Sequence, residues 1–296
     1  MKLAKGKVIK AWVQASRPPF FVATLIPLLI GWIMAWNGDL HVDRFILVVV
    51  SCFMVHLATN LANDYFDYKE GTDSGSSIGG SRVIQEGKIL PRSLVKAIVL
   101  LYGIACIIAF YLMISLNLMI LLPVILFSFF SSLFYVAPPI KYGYHGLGEL
   151  LVAINMGPIM VVGTYWIMTG HPDQVVLEVS IPVGLMVASI LYYQSLPDME
   201  TDRGVGKKTL ALILGRKGAF WGLIAFFLLI YGSILCLVAA GRLRWVSALC
   251  IVTLPLLVKV VRLARRTTDW VLLDRYGKYV RILYFMNGCA IIAGLF

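Results

Sequence analysis

Long apolar runs alternate with short charged segments along the whole chain. Five runs of about twenty residues contain no Asp, Glu, Lys or Arg, and they cover residues 18–38, 45–63, 150–172, 179–197 and 219–241. Helices of about twenty residues, at roughly 1.5 Å per residue, cross a hydrocarbon core. Residues 97–140 are long enough for two helices with a turn at 115–117, and two shorter runs lie near 245–261 and 279–296. The pattern predicts an all-α integral membrane protein with nine transmembrane helices.

Composition supports a membrane protein and gives it an orientation. The chain is 60% hydrophobic and 14% charged, whereas soluble domains carry about 25% charged residues. Most of the 26 Lys and Arg residues fall in segments that lie on the same side of the membrane as the N-terminus. Short cytoplasmic loops are expected to be the basic ones. We therefore expect a single domain over residues 1–296 in the plasma membrane, with a cytoplasmic N-terminus. The net charge of +11 follows from this topology and needs no nucleic-acid partner.

Polar residues gather where the second predicted span reaches the cytoplasm. His56, Asn60, Asn63, Asp64 and Asp67 are three or four positions apart, so they share one face of a helix. Acidic groups at a membrane edge are costly and commonly functional. For the deeper His56, a partner on a neighbouring helix is a more favoured interpretation than a catalytic base.

A second acidic cluster ends the sixth predicted span. Gln194, Asp198 and Asp202 follow at steps of four in YYQSLPDMETDRGVGKKTL. Both clusters end even-numbered spans, so both emerge on the cytoplasmic side. Each is followed by glycine and basic residues, namely Arg82 after the first and Lys207 and Lys208 after the second. We expect two pseudo-equivalent aspartate-rich motifs at the cytoplasmic end of a central cavity.

Facing carboxylates repel one another unless a cation joins them. Oxygen ligands without histidine or thiolate favour Mg²⁺, whose shell is completed by water and phosphate oxygens. Two such ions can neutralise the charge on a leaving group that is rich in oxygen, and basic side chains can bind the phosphates that the metals leave uncovered. The pattern favours a diphosphate attached to a lipid-like tail as the ligand.

The two motifs point to a known family. NDYFDYKEGTD and DMETDRGVGKKTLA resemble the aspartate-rich motifs of the UbiA superfamily of intramembrane prenyltransferases. The resemblance covers essentially the whole chain. GGSRVIQEGKILPR and GLGELLVAINMGP resemble the 1,4-dihydroxy-2-naphthoate polyprenyltransferases of menaquinone synthesis. Gln194 and Ser195 stand where many relatives have an asparagine.

The resemblance implies a nine-helix bundle and a Mg²⁺-dependent transfer from a polyprenyl diphosphate to an aromatic acceptor, whose carboxylate leaves as CO₂. The implied ligands of two Mg²⁺ ions, which also make up the catalytic set, are Asp64, Asp67, Asp198 and Asp202. The residues expected to bind donor or acceptor are Asn60, Asn63, Asp73, Arg82, Lys141, Glu149, Gln194, Lys207, Lys208, Arg17, Tyr65 and Tyr193.

Five of these residues have two interpretations each. Arg17 either extends to the interface or forms a wall of the site. Lys141 either binds a substrate anion or is an ordinary loop base. Glu149 either favours a helix start or binds the acceptor hydroxyl. Tyr65 and Tyr193 either stabilise an allylic cation or belong to packing and the interfacial belt.

The segment between the second and third spans is long for a helical bundle. Residues 68–92 include GTDSGSSIGGSR, and long connections of this kind are often functional. Asp73 and Arg82 within it favour a lid that covers the diphosphate and excludes water.

Other functions remain open on the residues alone. The same fold and donor could serve 4-hydroxybenzoate, homogentisate or a lipid alcohol as acceptor. A cation-coupled transporter with two half-sites is a remote alternative, since its site would lie near the bilayer midplane. A membrane phosphatidyltransferase concentrates its acids in one motif, whereas here two motifs are far apart in sequence.

Overall fold

The computed structural model describes residues 5–71, 80–267 and 270–296, and every regular element among them is helical. Twelve α-helices follow one another in the chain: α1 Lys5–Ser16, α2 Phe21–Met34, α3 Val42–Glu70, α4 Pro91–Ser115, α5 Leu122–Phe134, α6 Gly148–Ile154, α7 Met160–Thr169, α8 Gln174–Ser195, α9 Met199–Gly204, α10 Leu210–Ala239, α11 Leu254–Arg266 and α12 Trp270–Ala293.

Seven helical stretches of the described chain are long and apolar enough to cross a membrane. They are Gly6–Met34, Val42–Glu70, Pro91–Ser115, Gly148–Thr169, Gln174–Ser195, Leu210–Ala239 and Trp245–Arg266. Met119–Phe134 is a shorter apolar stretch, and α12 overlaps the ninth predicted span, near 279–296, but begins nine residues earlier. The multi-pass membrane architecture is thus confirmed, while the count of nine spans and the cytoplasmic N-terminus stay predictions.

Helix α8 forms the centre of the bundle. In its most apolar 18-residue stretch, 67% is buried inside the protein, against 17–39% for the corresponding stretches of the other six candidate spans. It packs against α6, α10 and α12. The remaining helices keep an apolar face outward, as expected for a protein surrounded by lipid.

Glycines bring α8 close to the α6–α7 span. A Cβ built on Gly184 would lie 2.3 Å from the carbonyl oxygen of Ala153, and one on Gly157 would lie 2.7 Å from the Cα of Gly184. The backbones therefore touch where no side chain fits. Between α6 and α7, residues Asn155–Ile159 form a π-helical turn, which Pro158 favours because it has no amide hydrogen to donate.

Candidate active site

A small polar pocket of about 130 Å³ opens at the end of the bundle where α3 and α8 finish. It lies between the two predicted motifs and collects side chains from six parts of the chain. Its lining includes Arg17, Asn63, Asp67, Gly80, Tyr135, Glu149, Gln194, Ser195, Asp198, Asp202, Lys207 and Thr209. Helical spacing explains the convergence, since Asn63 and Asp67 are one turn apart on α3.

An apolar chamber of about 380 Å³ adjoins this pocket and extends into the bundle. Its walls are mostly aliphatic and aromatic side chains of α2 to α8. Five residues line both spaces: Arg17, Asn63, Tyr135, Leu191 and Gln194. The two cavities therefore adjoin, with a charged pocket on one side of these residues and an apolar chamber on the other.

Asp64 is bonded by protein groups on both carboxylate oxygens. The Arg17 guanidinium donates to Oδ1, the backbone amide of Ser81 donates to the same oxygen at 3.0 Å, and the Ser81 hydroxyl donates to Oδ2. The Asp64 side chain is 3% exposed. Asp64 therefore ties the start of α2 and the segment after residue 80 to the end of α3.

Asp67, one turn nearer the end of α3, has a different partner. The hydroxyl of Tyr144 donates to its Oδ1 at 2.6 Å. Tyr144 lies in the 3₁₀ turn Tyr142–His145, and its carbonyl oxygen accepts from the backbone amide of Lys208 at 2.9 Å. One buried tyrosine thus joins the first motif to the segment that follows the second.

Lys207 lies among the carboxylates of both motifs. Its Nζ is 3.4 Å from Oδ1 of Asp202 and 5.2 Å from the centre of the Tyr144 ring. Burial by itself would lower the pKa of Lys207, but the carboxylates of Asp67 and Asp202 outweigh burial and raise it. Burial raises the pKa of Asp202, and Lys207 opposes that rise. The site therefore favours an ammonium group on Lys207 beside the Asp202 carboxylate, which burial makes harder to ionise.

Three expected binding residues have left-handed backbone conformations. The φ angles are 52° at Arg17, 59° at Arg82 and 43° at Lys141. This region is uncommon for residues other than glycine, and such residues cluster at functional sites. Each of the three stands at a turn on the side of the bundle that carries the polar pocket.

The amide and acid side chains occupy defined places around the cavities. Asn60 lines the apolar chamber, and its Nδ2 donates to the carbonyl oxygen of Ser16 at 3.2 Å. Asn63 and Gln194 lie at the junction of the two cavities, while Glu149 lines the polar pocket at 5% exposure. Lys141 is paired with Glu70 at 2.6 Å instead.

Several expected residues are not brought to the cavities. Tyr65 packs edge-on against Phe66, and the hydroxyl of Tyr193 donates to the carbonyl oxygen of Leu273 in α12 at 3.1 Å. Lys208 is exposed, and Arg82 lines neither cavity. Asp73 lies outside the described residues.

Conversely, the structure adds residues that the motifs did not indicate. Tyr144 and Ser81 bond directly to the aspartates of the first motif, and Tyr135 lines both cavities. All three belong to connections or helix ends, where no periodic pattern marks them. Ser81 stands within GGSR and Tyr144 within KYGYHGLGE, but nothing in either stretch indicates a bond to an aspartate.

Oxygen donors suited to a hard cation line the pocket. Among the described residues no three Asp, Glu, His or Cys side chains are close enough together to hold a metal ion by themselves. The residues present still fit one, because Asp67, Asp198 and Asp202 share the polar pocket with Asn63. The buried Oδ1 of Asn63 has no hydrogen-bond partner in the described chain, and phosphate oxygens commonly complete such a shell.

Comparison with known proteins gives the pocket a context. The model of the UbiA prenyltransferase family matches residues 24–277. The 1,4-dihydroxy-2-naphthoate octaprenyltransferase of Bacillus subtilis is 30% identical over 242 residues, which are 81% of this chain and 76% of that protein.

Solved structures resemble the fold over nearly its whole length. An apo UbiA homolog from Aeropyrum pernix matches with a TM-score of 0.71 at 17% identity, covering 93% of this chain and 98% of that one. A UbiA homolog from Archaeoglobus fulgidus bound to DMAPP and Mg²⁺ matches with a TM-score of 0.60 at 14% identity, covering 95% and 99%.

Proposed function

Because the chain belongs to the UbiA prenyltransferase family, we propose that it transfers a polyprenyl group from an allylic polyprenyl diphosphate to 1,4-dihydroxy-2-naphthoate. The allylic carbon–oxygen bond breaks, and diphosphate leaves with the electron pair. The ring carbon that bears the carboxylate attacks the allylic cation, CO₂ departs, and its bonding electrons restore the aromatic ring. The product is demethylmenaquinol, and no proton has to be removed from the ring.

The adjacency of a charged pocket and an apolar chamber, which share five lining residues, is the observation that carries this proposal. A polyprenyl diphosphate has a highly charged head and a long apolar tail. The polar pocket offers Lys207, Arg17 and Asn63 to the head, and the chamber offers an apolar space to the first part of the tail. The reacting carbon then lies at the junction.

Asp67, Asp198, Asp202 and the amide oxygen of Asn63 would hold Mg²⁺ together with phosphate oxygens of the donor. When bound, two ions supply neutralisation of the negative charge that develops on the departing diphosphate. Asp64, the fourth expected ligand, holds Arg17 and Ser81 in this structure.

The chain's own groups position the head and protect the cation. Lys207 is held protonated by its neighbours, so it binds a phosphate oxygen throughout the reaction. Gln194, at the junction of the two cavities, can donate its amide hydrogens to a second phosphate oxygen. Tyr135 lines both cavities, so we assign it the stabilisation of the allylic cation, which was one of the two interpretations of Tyr65 and Tyr193 from sequence.

The acceptor enters beside the diphosphate. Glu149 lines the polar pocket and is 5% exposed, and we assign its carboxylate to the acceptor hydroxyl. Lys141 is paired with Glu70 and lies 5.7 Å from the Tyr144 ring, so it supports the rim of the pocket. The enzyme works as a single domain in the plasma membrane with this pocket open to the cytoplasm.

The direct test uses purified protein in detergent with Mg²⁺ and geranylgeranyl diphosphate. 1,4-Dihydroxy-2-naphthoate and 4-hydroxybenzoate are supplied separately, and mass spectrometry follows prenylated product and loss of CO₂. Asp67→Asn and Asp198→Asn are compared with Asp39→Asn, a carboxylate on the loop between α2 and α3, outside both cavities. We expect Mg²⁺-dependent prenylated naphthoquinol that disappears in the first two variants and persists in the third.

Two results would contradict this proposal to different extents. Prenylation of 4-hydroxybenzoate but not of the naphthoate would leave the reaction class intact and replace the acceptor. Absence of any prenylated product, with no diphosphate released from the donor, would overturn the assignment as a prenyltransferase.

A further inference from the structure

A histidine and a threonine are bonded inside the apolar chamber, away from both aspartate motifs. Nδ1 of His56 on α3 lies 2.5 Å from Oγ1 of Thr24 on α2. Thr24 is fully buried (0% exposed), and both residues line the chamber. The imidazole packs edge-on against Phe21, with ring centres 5.8 Å apart, so its orientation is fixed.

Comparison with other helical threonines shows which atom donates. The hydroxyls of Thr59 and Thr164 donate to the carbonyl oxygens four residues earlier, at 2.8 and 2.7 Å. Thr24 makes no such bond, and His56 is its one hydrogen-bond partner among the described residues. A buried hydroxyl without an acceptor is costly, so Thr24 donates its hydrogen to Nδ1.

This direction determines the tautomer of His56. A neutral imidazole has one N–H group and one nitrogen with a free lone pair, and burial in an apolar wall disfavours the charged form. With Nδ1 as the acceptor, Nε2 carries the hydrogen. Nε2 has no acceptor within residues 5–71, 80–267 and 270–296, so a hydrogen-bond donor is presented to the chamber.

Depth in the chamber indicates which ligand atom this donor meets. His56 precedes Asn60 by one helical turn and Asp64 by two, or about 12 Å along the helix. A prenyl tail has no oxygen, and the diphosphate belongs to the polar pocket. A hydroxylated aromatic ring that reacts at the junction can extend an oxygen into the chamber.

We propose that His56, fixed as the Nε2–H tautomer by Thr24, donates a hydrogen bond to a ring oxygen of the aromatic acceptor. The inference rests on the proposed function for the identity of that ligand. Thr24 is a positioning residue, since it acts through His56 and does not itself reach the acceptor. The tautomer itself follows from the contacts alone.

The first experiment observes the tautomer without turnover. The detergent-solubilised protein is labelled with ¹⁵N at its histidine imidazoles, and His56→Gln identifies the His56 signals among those of the four histidines. We expect a protonated Nε2 and an unprotonated Nδ1. Thr24→Val should let the two tautomers mix, whereas Thr164→Val, which removes a hydroxyl from an equally buried helical threonine, should leave the signals unchanged. A protonated Nδ1 in the unaltered protein would overturn the proposal.

The second experiment adds acceptor to the same labelled sample in the absence of oxygen. 1,4-Dihydroxy-2-naphthoate or 4-hydroxybenzoate should shift the Nε2 signal, and geranylgeranyl diphosphate alone should not. A shift with the donor alone would overturn the proposal, as would the lack of a shift with either acceptor. Because no catalysis is required, this result is independent of whether prenyl transfer is observed.

A matched pair of substitutions then measures the effect on the reaction. The amide nitrogen of Gln reaches the position of Nε2, and that of Asn reaches the position of Nδ1. His56→Asn should raise KM for the acceptor roughly threefold to tenfold, with KM for the donor unchanged, while His56→Gln should largely restore it. Equal KM values for the acceptor in both variants would show that His56 has a structural role only. Parallel changes in KM for the acceptor and for the donor would show the same.

Discussion

The hydroxyl of Tyr144 donates to the carboxylate of Asp67 at 2.6 Å. Asp67 belongs to the first aspartate motif, whereas Tyr144 lies in a short turn before α6. The same tyrosine accepts from the amide of Lys208 and lies under the ammonium of Lys207. Tyr144, which belongs to neither aspartate cluster, therefore fixes the position of Asp67 relative to Lys207 and Lys208.

We predict that Tyr144→Phe weakens the response to Mg²⁺. The ring remains to fill its place, but Asp67 loses a charge-assisted hydrogen bond, which contributes about 1.5–3 kcal/mol. The Mg²⁺ concentration for half-maximal prenyl transfer should rise about tenfold or more. Initial rates measured over a Mg²⁺ series test this expectation.

Tyr142→Phe provides the matched control. Tyr142 is also buried, but its hydroxyl is 3.2 Å from Ser131 and bonds to no aspartate in the part of the chain that the structure describes. Its removal should leave the Mg²⁺ response unchanged. If both variants show the same response, the hydroxyl of Tyr144 does not support Asp67.

Ser81→Ala should weaken donor binding. Ser81 bonds both oxygens of Asp64 through its amide and hydroxyl, and its neighbour Gly80 lines the polar pocket. Loss of the hydroxyl loosens that segment, and KM for the allylic diphosphate should rise roughly tenfold. Ser16→Ala is the control because the Ser16 hydroxyl donates only to the carbonyl oxygen of Val13. Equal KM values in the two variants would count against a role of Ser81 at the pocket.

Much of the fold could be predicted because one physical constraint dominates it. Backbone polar groups must be bonded within each crossing segment, so uncharged runs of about twenty residues coincide with helices. The turn expected at 115–117 is present, since α4 ends at Ser115 and Asn117 has a left-handed φ of 56°. Apolar periodicity contains no information on which helix is central, and the burial of α8 emerged only from the packing.

The candidate site was predictable only where helices carry it. Asn63 and Asp67 share a face by their spacing, and both line the polar pocket. Tyr193 does not line the pocket. Its neighbour Gln194 does, and successive residues on a helix point about 100° apart, so Tyr193 faces α12 instead. Tyr144 and Ser81 reach the aspartates from connections, whose paths follow from tertiary contacts and not from a repeating pattern.

A stability prediction follows from the contact between α8 and the preceding span. Gly184→Ala would place a Cβ 2.3 Å from the carbonyl oxygen of Ala153, so the two backbones must separate. Overpacking of this kind costs about 1–3 kcal/mol, and Tm in detergent should fall by several degrees. Gly232→Ala in α10, where a Cβ meets nothing within 4 Å, should leave Tm unchanged or raise it. A similar loss in both variants would argue against close backbone contact at Gly184.

Donor length provides a test of what the chamber holds. Ala109 on α4 lines the chamber, and Ala109→Phe places a ring in a space of about 380 Å³. If the prenyl tail lies there, kcat/KM for geranylgeranyl diphosphate should fall about tenfold more than kcat/KM for geranyl diphosphate, since only the longer tail must displace the ring. Ile107→Phe, two residues earlier and 71% exposed, should leave the ratio unchanged. Equal losses with both donors would show that the tail leaves the bundle before it reaches Ala109.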